Sequence, residues 1–302
     1  MNSLDSIVVG IDFSNCSLAA LAQAARMARW NHATLHVFHV IDSVVAGEIA
    51  SATSASLSEV KAELIQDAEQ AMKDALSGVE QIDSVKIEAV VDHPLDGILK
   101  KVKSVPTDLL VLGAYGKSGE DSGAGRFAYK CVRKAQTKVL LVNERERGPY
   151  ARILACVDFS ETSRRAVEQA CHVALQDGSE LHLLHIHRPP WTLLRRGGYR
   201  IRSITESEKY KREYLAALES RFAAWSKQFD EDTGSLTVHR KLLEDEDYSR
   251  GIINYGLEIR AELVVMGTLG SGGLRYLMLG STAENVLRHL SCSLLAIKPP
   301  KS

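Results

Sequence analysis

The chain has 302 residues, of which 45% are apolar and 25% charged, with a formal net charge of -1. That length suits two domains of ordinary size, each able to bury a core, and the near-zero charge gives no electrostatic case for nucleic acid or an anionic membrane as a principal partner. No apolar run approaches a transmembrane span or a signal-peptide core, and the five cysteines (Cys16, Cys131, Cys156, Cys171, Cys292) include no Cys-x-x-Cys pair, so free thiols in a reducing cytoplasm are expected.

The first element, Ile7-Val8-Val9-Gly10-Ile11-Asp12-Phe13-Ser14, reads as a buried strand ending in a polar turn, followed by a helix through Ala19, Ala20, Ala24 and Met27. The same pattern recurs at Ile153 to Ser160: sliding Ile7 to Ala24 onto Ile153 to Ala170 gives 8 identities in 18 positions without a gap. This is duplication at domain scale. At the same offset of 146, second strands at Leu35 to Val40 and Leu181 to Ile186 align through a shared Leu-His pair. Each half continues with a helix (Ser58 to Leu76; Glu206 to Phe229), a third strand (Val85 to Val91; Leu236 to Leu242) and another helix (Leu95 to Val102; Ile252 to Ile259). An apolar strand (Leu109 to Leu112; Leu263 to Met266) and a last strand (Lys138 to Val142; Ser293 to Ile297) complete each half. Strands alternating with helices of this length predict parallel βαβ units and an α/β architecture in both halves. The charged, Gly-Pro-containing Glu144 to Pro149 is the predicted boundary, separating domains at 1–145 and 150–302; its shortness predicts domains packed together. Ser51 to Ser56 and the basic stretch Arg188 to Arg202 read as surface crossover loops, the second having the alternative of closing through Trp191 and Tyr199 over an acidic ligand or partner.

Chemistry concentrates at Gly267-Thr268-Leu269-Gly270 and, nine residues later, Gly280-Ser281-Thr282. The stretch follows a strand buried on both faces and precedes a helix, for which Ser281-x-x-Glu284 predicts an N-terminal capping box. Unpaired N–H groups and the positive end of the dipole make such a terminus an anion site. Glycines there permit a turn with positive φ and let backbone approach a polyphosphate, while Ser281 and Thr282 add hydroxyl donors. Asp158, at the carboxyl end of its strand, suits ribose hydroxyls or an adenine amino group rather than phosphate.

These residues resemble a tandem universal stress protein over nearly the whole chain. Two strand-Asp-x-Ser copies, the Leu-His strands and the Gly-2x-Gly-9x-Gly-Ser/Thr spacing carry the likeness. The resemblance implies two tandem domains, each an open five-stranded, mostly parallel sheet sandwiched by helices, and a stress-response protein that binds ATP, with ADP or AMP as alternatives and Mg2+ accompanying ATP. It implies that Asp158 meets the ribose or adenine, that Ile186 holds adenine through its backbone, and that Gly267, Gly270, Gly280, Ser281 and Thr282 meet the phosphates. It also implies pairing of Val139 to Val142 with Leu294 to Ile297, which makes one chain a pseudo-dimer, with a homodimer of chains and an unidentified protein partner as further expectations.

The first half departs from the pattern. Gly113-Ala114-Tyr115-Gly116 repeats the opening glycines, but eight residues later Gly125 is followed by Arg126 and Phe127 where Ser281 and Thr282 stand. A degenerate site formed by Asp12, Gly113, Gly116, Gly125 and Arg126 is expected, with the nucleotide held mainly in the second half, where it would order the Gly270 to Leu279 loop. Gly116-Lys117-Ser118 is no Walker A loop, since Val111 occupies its first glycine position. On a strand His185 and His187 share a face that His182 does not, so no metal centre is expected from these three. No nucleophile, base and orienter assemble locally, so no catalytic residue is assigned. A binding or regulatory module is preferred over a weak ATPase, a protein autophosphorylating on Ser281 or Thr282, or a binder of another adenylated or acidic ligand.

Overall fold

A computed structural model describes residues 4–116, 124–191, 208–269 and 279–299. The first half runs β1 (Ser6–Gly10), α1 (Asn15–Asn31), β2 (Thr34–Asp42), α2 (Ser43–Ala52), α3 (Leu57–Ser77), β3 (Val85–Asp92), α4 (Pro94–Ser104), β4 (Leu109–Gly113), α5 (Arg126–Lys134) and β5 (Lys138–Val142). The second half has β6 (Arg152–Val157), α6 (Glu161–Asp177), β7 (Glu180–His187), α7 (Glu208–Ser226), the single turn α8 (Asp230–Thr233), β8 (Val238–Glu244), α9 (Tyr248–Glu258), β9 (Leu263–Gly267), α10 (Ser281–His289) and β10 (Ser293–Ile297).

All ten strands form one sheet in the order β3-β2-β1-β4-β5-β10-β9-β6-β7-β8. Pairing is parallel within each half, and the halves meet in an antiparallel seam that sets Leu141 against Leu294, Leu140 against Leu295 and Val139 against Ala296. The expected internal pairing of the last strands is therefore present. The central strands are apolar at successive positions because helices cover both faces. Alternate residues feed two cores, each continuous across the seam: Leu140 and Leu295 lie in one with α1 and α6, and Leu141 and Leu294 in the other with α5 and α10.

One element escaped the sequence reading, and one local expectation is corrected. Ser43–Ala52 is helical although the sequence lacks an amphipathic stripe there; Asp42 caps it by accepting from Val44 N at 3.0 Å, and Ala46 is its buried residue. The capping box expected at Ser281 is absent: Gly280 is the N-cap, no side chain caps α10, and the Glu284 carboxylate accepts from Arg288 at 2.9 Å. A box of that sequence forms instead at Ser56 and Glu59, where Ser56 Oγ accepts from Glu59 N at 3.3 Å and Glu59 Oε2 from Ser56 N at 2.8 Å.

The inter-half linker is held by α1. Gln23 Nε2 donates to the carbonyls of Glu146 (2.9 Å) and Gly148 (2.6 Å), and Arg26 bonds the Gly148 carbonyl at 2.9 Å while pairing with Asp177 of α6. Burial, reinforced by the Glu262 carboxylate, pushes the Glu146 carboxyl up to about 7. A raised acid is protonated in the folded chain where the unfolded chain has already ionised. Its contribution is complete below the usual carboxylate range and is lost as pH rises through about 7. Glu146→Gln is accordingly expected to match the parent near pH 3.5 and to exceed it by about 1–2 kcal/mol at pH 8 in urea denaturation, solvent screening of the half-exposed group keeping the gain small. Equal differences at both pH values would remove Glu146 as the cause.

Candidate functional site

Each half repeats one turn at the end of its first strand. Asp158 Oδ1 accepts from Ser160 N at 3.0 Å, and Ser160 Oγ caps α6 by accepting from Ser163 N at 3.1 Å; Asp12, Ser14 and Ser17 make the same bonds at 3.0 and 3.2 Å. Between them, Phe159 and Phe13 adopt left-handed φ values of 61° and 62°. Such strain persists where surroundings over-determine it. The Phe159 ring lies 4.3 Å from that of His185 and 5.8 Å from that of Trp225, with the Arg221 guanidinium 4.4 Å from its centroid. The histidines tie the second strand to the first: His185 Nδ1 donates to the Val157 carbonyl at 2.8 Å and His39 Nδ1 to that of Ile11 at 2.6 Å. Burial depresses the His185 imidazole below its usual range, so this ring is a neutral structural donor.

The glycine-rich loop of the second half is closed at its base. Thr268, 3% exposed, donates to the Ile297 carbonyl through N (2.9 Å) and Oγ1 (3.2 Å), and its own carbonyl accepts from Gly280 N at 2.9 Å. The first half repeats this with Ala114 N to Val142 O at 2.9 Å and Gly125 N to Ala114 O at 2.8 Å. The expected need for positive φ is not met at any described loop glycine; among the described glycines only Gly178, capping α6, has it. Gly267 is required by packing, because a Cβ there would sit 2.8 Å from Thr162 Cγ2. At Gly113 a Cβ would sit 2.8 Å from Ser17 N, so strand β4 and the start of α1 approach too closely for any side chain.

These parts enclose a cavity of about 500 Å³ at the carboxyl ends of β6, β7 and β9, lined by Asp158, Ile186, Gly267, Gly280, Ser281 and Thr282. Six of the seven residues assigned to the second-half site thus share one cavity; Gly270 and the rest of 270–278 lie outside the described residues. Ile186 continues β7 past the last β6 pair, Val157 with His185, and is paired with Leu243 of β8. Ser281 is the first residue of α10 rather than its cap, so its main-chain N–H stands among the orphan donors of the first turn. Asp12, Gly113, Gly116, Gly125 and Arg126 likewise line a separate first-half cavity of about 420 Å³. There Arg126 is the exposed first residue of α5, whose N-terminus also lacks a side-chain cap.

The start of α5 leans on the C-terminal turn of α10. Ala124 N donates to the Leu287 carbonyl at 2.7 Å, and the Arg288 guanidinium lies 5.1 Å from the Tyr129 centroid. Sequence reasoning missed Phe159, Thr268 and Tyr248. Phe159 was legible, since Asp-Phe-Ser is identical in both halves. Thr268 and Tyr248 had no signal: the first acts through β10, and the second, lining the cavity where α9 begins, is carried there by the fold. Of the basic stretch, Arg188 stacks 4.2 Å over Tyr248 and Trp191 packs 5.5 Å from Tyr214 of α7; Tyr199 lies outside the described residues. Cys16 and Cys131 are buried, and burial pushes the Cys131 thiol up to about 12, as for an apolar filler.

A family model described as the universal stress protein family matches residues 4–143 and again 149–298. A universal stress protein of Mycobacterium tuberculosis is 28% identical over 314 aligned residues, covering 98% of this chain and 95% of that protein. One from Methanocaldococcus jannaschii is 29% identical over 154 residues, covering 50% of this chain and 84% of the relative. Among solved structures, a universal stress protein from Archaeoglobus fulgidus aligns with a TM-score of 0.62 at 18% identity over 99% of both chains. A Pseudomonas aeruginosa protein of unknown function aligns at 0.65 and 19% identity, over 98% of this chain and 93% of that one. At these identities the structural likeness is one of fold.

Proposed function

The chain belongs to the universal stress protein family, and we propose that it is a stress-response protein that holds ATP mainly in its second half and acts as a binding or regulatory module. The observation that carries this reading is the cavity of about 500 Å³ with a carboxylate, Asp158, at one strand end and the uncapped α10 N-terminus at another. Its size falls in the range of small-molecule sites, roughly 300–1,000 Å³. In this reading Asp158 accepts from ribose hydroxyls or the adenine amino group and the β7 backbone at Ile186 meets the adenine. Gly280, Ser281 and Thr282 bring N–H and hydroxyl donors to the phosphates, whose remaining charge Mg2+ shares. A few charge-assisted bonds of about 1.5–3 kcal/mol each support affinity near micromolar once association costs are met. In the first half Arg126 replaces the hydroxyl of Ser281, and that cavity is proposed as a degenerate site that supports the second.

The test is to denature the purified chain and identify and count the small molecule released. One ATP or ADP per chain supports the asymmetric reading; two would show that Arg126 does not disable the first site. No nucleotide released and none bound on titration with Mg-ATP would overturn the proposal. Steady-state phosphate release clearly above contaminant level would move the protein to the enzyme class.

A further inference from the structure

Away from the nucleotide cavity, three donors converge at the amino-terminal end of β7 and β8. Glu180 and His182 are two residues apart on β7 and share a face of the sheet, and the register sets His239 of β8 directly beside His182. One ligand atom from each, a carboxylate oxygen and two imidazole nitrogens, lies within 4.8 Å of the others. The two rings stack at 4.4 Å with 23° between their planes, so the exposed His239 ring turns out of the stack for both in-plane lone pairs to reach one ion. The sequence-based expectation of no metal weighed the histidines of β7; His239 comes from a strand 57 positions from His182 and is brought in by the register.

His182 is the informative member. It is 7% exposed, its Nδ1 lies 3.1 Å from the Tyr255 hydroxyl, and its Nε2, 3.9 Å from Glu180 Oε2, is buried with no hydrogen-bond partner. A ring that donates Nδ1–H to Tyr255 presents the Nε2 lone pair to its neighbours, which is how an outer-shell partner fixes the tautomer of a metal-binding histidine. Burial depresses the His182 imidazole below its usual range, which keeps that lone pair available at neutral pH. Arg152, beside Glu180, bonds Glu262 Oε1 at 3.4 Å and the Arg260 carbonyl at 3.1 Å, and Lys241, two residues along β8 from His239, lies 5.9 Å from the Tyr255 ring centroid. Two imidazoles and a carboxylate are the donor set of a zinc-class ion, which would complete its shell with water on the exposed side.

We propose that Glu180, His182 and His239 bind a first-row divalent cation of the zinc class, with Tyr255 orienting the His182 ring. The site lies about 13 Å along the strand from Ile186 and does not depend on the nucleotide reading.

The full chain, stripped with a chelator and kept free of nucleotide, is dialysed against Zn2+ and its bound metal counted, beside His239→Ala and Glu180→Gln. Both replaced side chains are exposed, so their metal-free denaturation midpoints should match the parent's. The parent should bind one Zn2+ per chain, and each variant should bind it more than about tenfold more weakly, since an inner ligand matters at least as much as an outer-shell partner. Co2+ in place of Zn2+ should give visible bands without a thiolate charge-transfer band, which separates this site from the five cysteines. No bound Zn2+ at sub-millimolar concentration, equal affinity in the variants, or a thiolate band would each overturn the proposal.

Discussion

Gly280→Tyr is expected to weaken ATP binding by at least about 100-fold, equivalent to roughly 2.7 kcal/mol, while leaving the denaturation midpoint close to the parent's. Gly280 has φ -64° and ψ 148°, which any residue adopts, and among the described residues a Cβ added there would find only the Thr268 carbonyl oxygen, at 3.4 Å, within reach. The backbone and the first side-chain atom are therefore tolerated. The ring beyond them enters the space lined by Asp158, Ser281 and Thr282. Calorimetric titration with Mg-ATP checks the loss, and urea denaturation checks the fold. Binding within a few-fold of the parent by a folded variant would sink the assignment of this cavity to nucleotide. The contrast with Gly267 is informative: there a Cβ collides with Thr162, so any substitution disturbs the strand–helix contact and reports on folding instead.

Arg26→Ala is expected to cost about 3–5 kcal/mol of stability, the range for removing one partner of a buried ion pair. The Asp177 side chain is fully buried and that of Arg26 18% exposed. Asp177 also accepts from Tyr150 N at 2.8 Å, and burial, the largest influence on it, holds its carboxyl above the usual range despite these partners. Losing Arg26 would raise it further. A raised acid stabilises the folded chain where it is protonated and loses that contribution as pH rises through its folded value, so the deficit of Arg26→Ala should shrink on acidification. Asp177→Asn added to Arg26→Ala should recover part of the loss, because a neutral amide is cheaper to bury than an unpaired charge. A cost below about 1 kcal/mol at neutral pH would mean the pair behaves as a solvent-screened surface bridge.

Both predictions rest on contacts of very different legibility. The strands Lys138–Val142 and Ser293–Ile297 have the bounds expected from their apolar runs, because a strand covered on both faces declares itself in consecutive residues. That Asp12 and Asp158 lie beside the described loop glycines was also legible, since Asp-x-Ser and the spaced glycines recur in each half, and these residues line the two cavities. Helix α2 was not, because Val44 (62% exposed) and Val45 (47% exposed) face solvent and leave no periodic stripe to read. Ser281-x-x-Glu284 misled because the same four-residue pattern serves two geometries. At Ser56 the chain is free to set the serine as cap, whereas at Gly280 the bond from Gly280 N to Thr268 O makes the glycine the half-helical residue and moves Ser281 one place inward.

What the sequence determined by itself is therefore the local and the repeated: the alternation of strand and helix, the duplication, and the polar residues each strand delivers at its carboxyl end. These follow from φ/ψ preference and from hydrophobic period, which act over a few residues. The tertiary structure decided why Gly267 must be glycine, through Thr162; how the halves join, through Leu141 on Leu294; where the linker is anchored, through Arg26 on Asp177; and that His182 meets His239. Each of these is a meeting of side chains far apart in sequence, set by strand order and register, and close packing leaves one residue type that fits where the chain itself shows no preference.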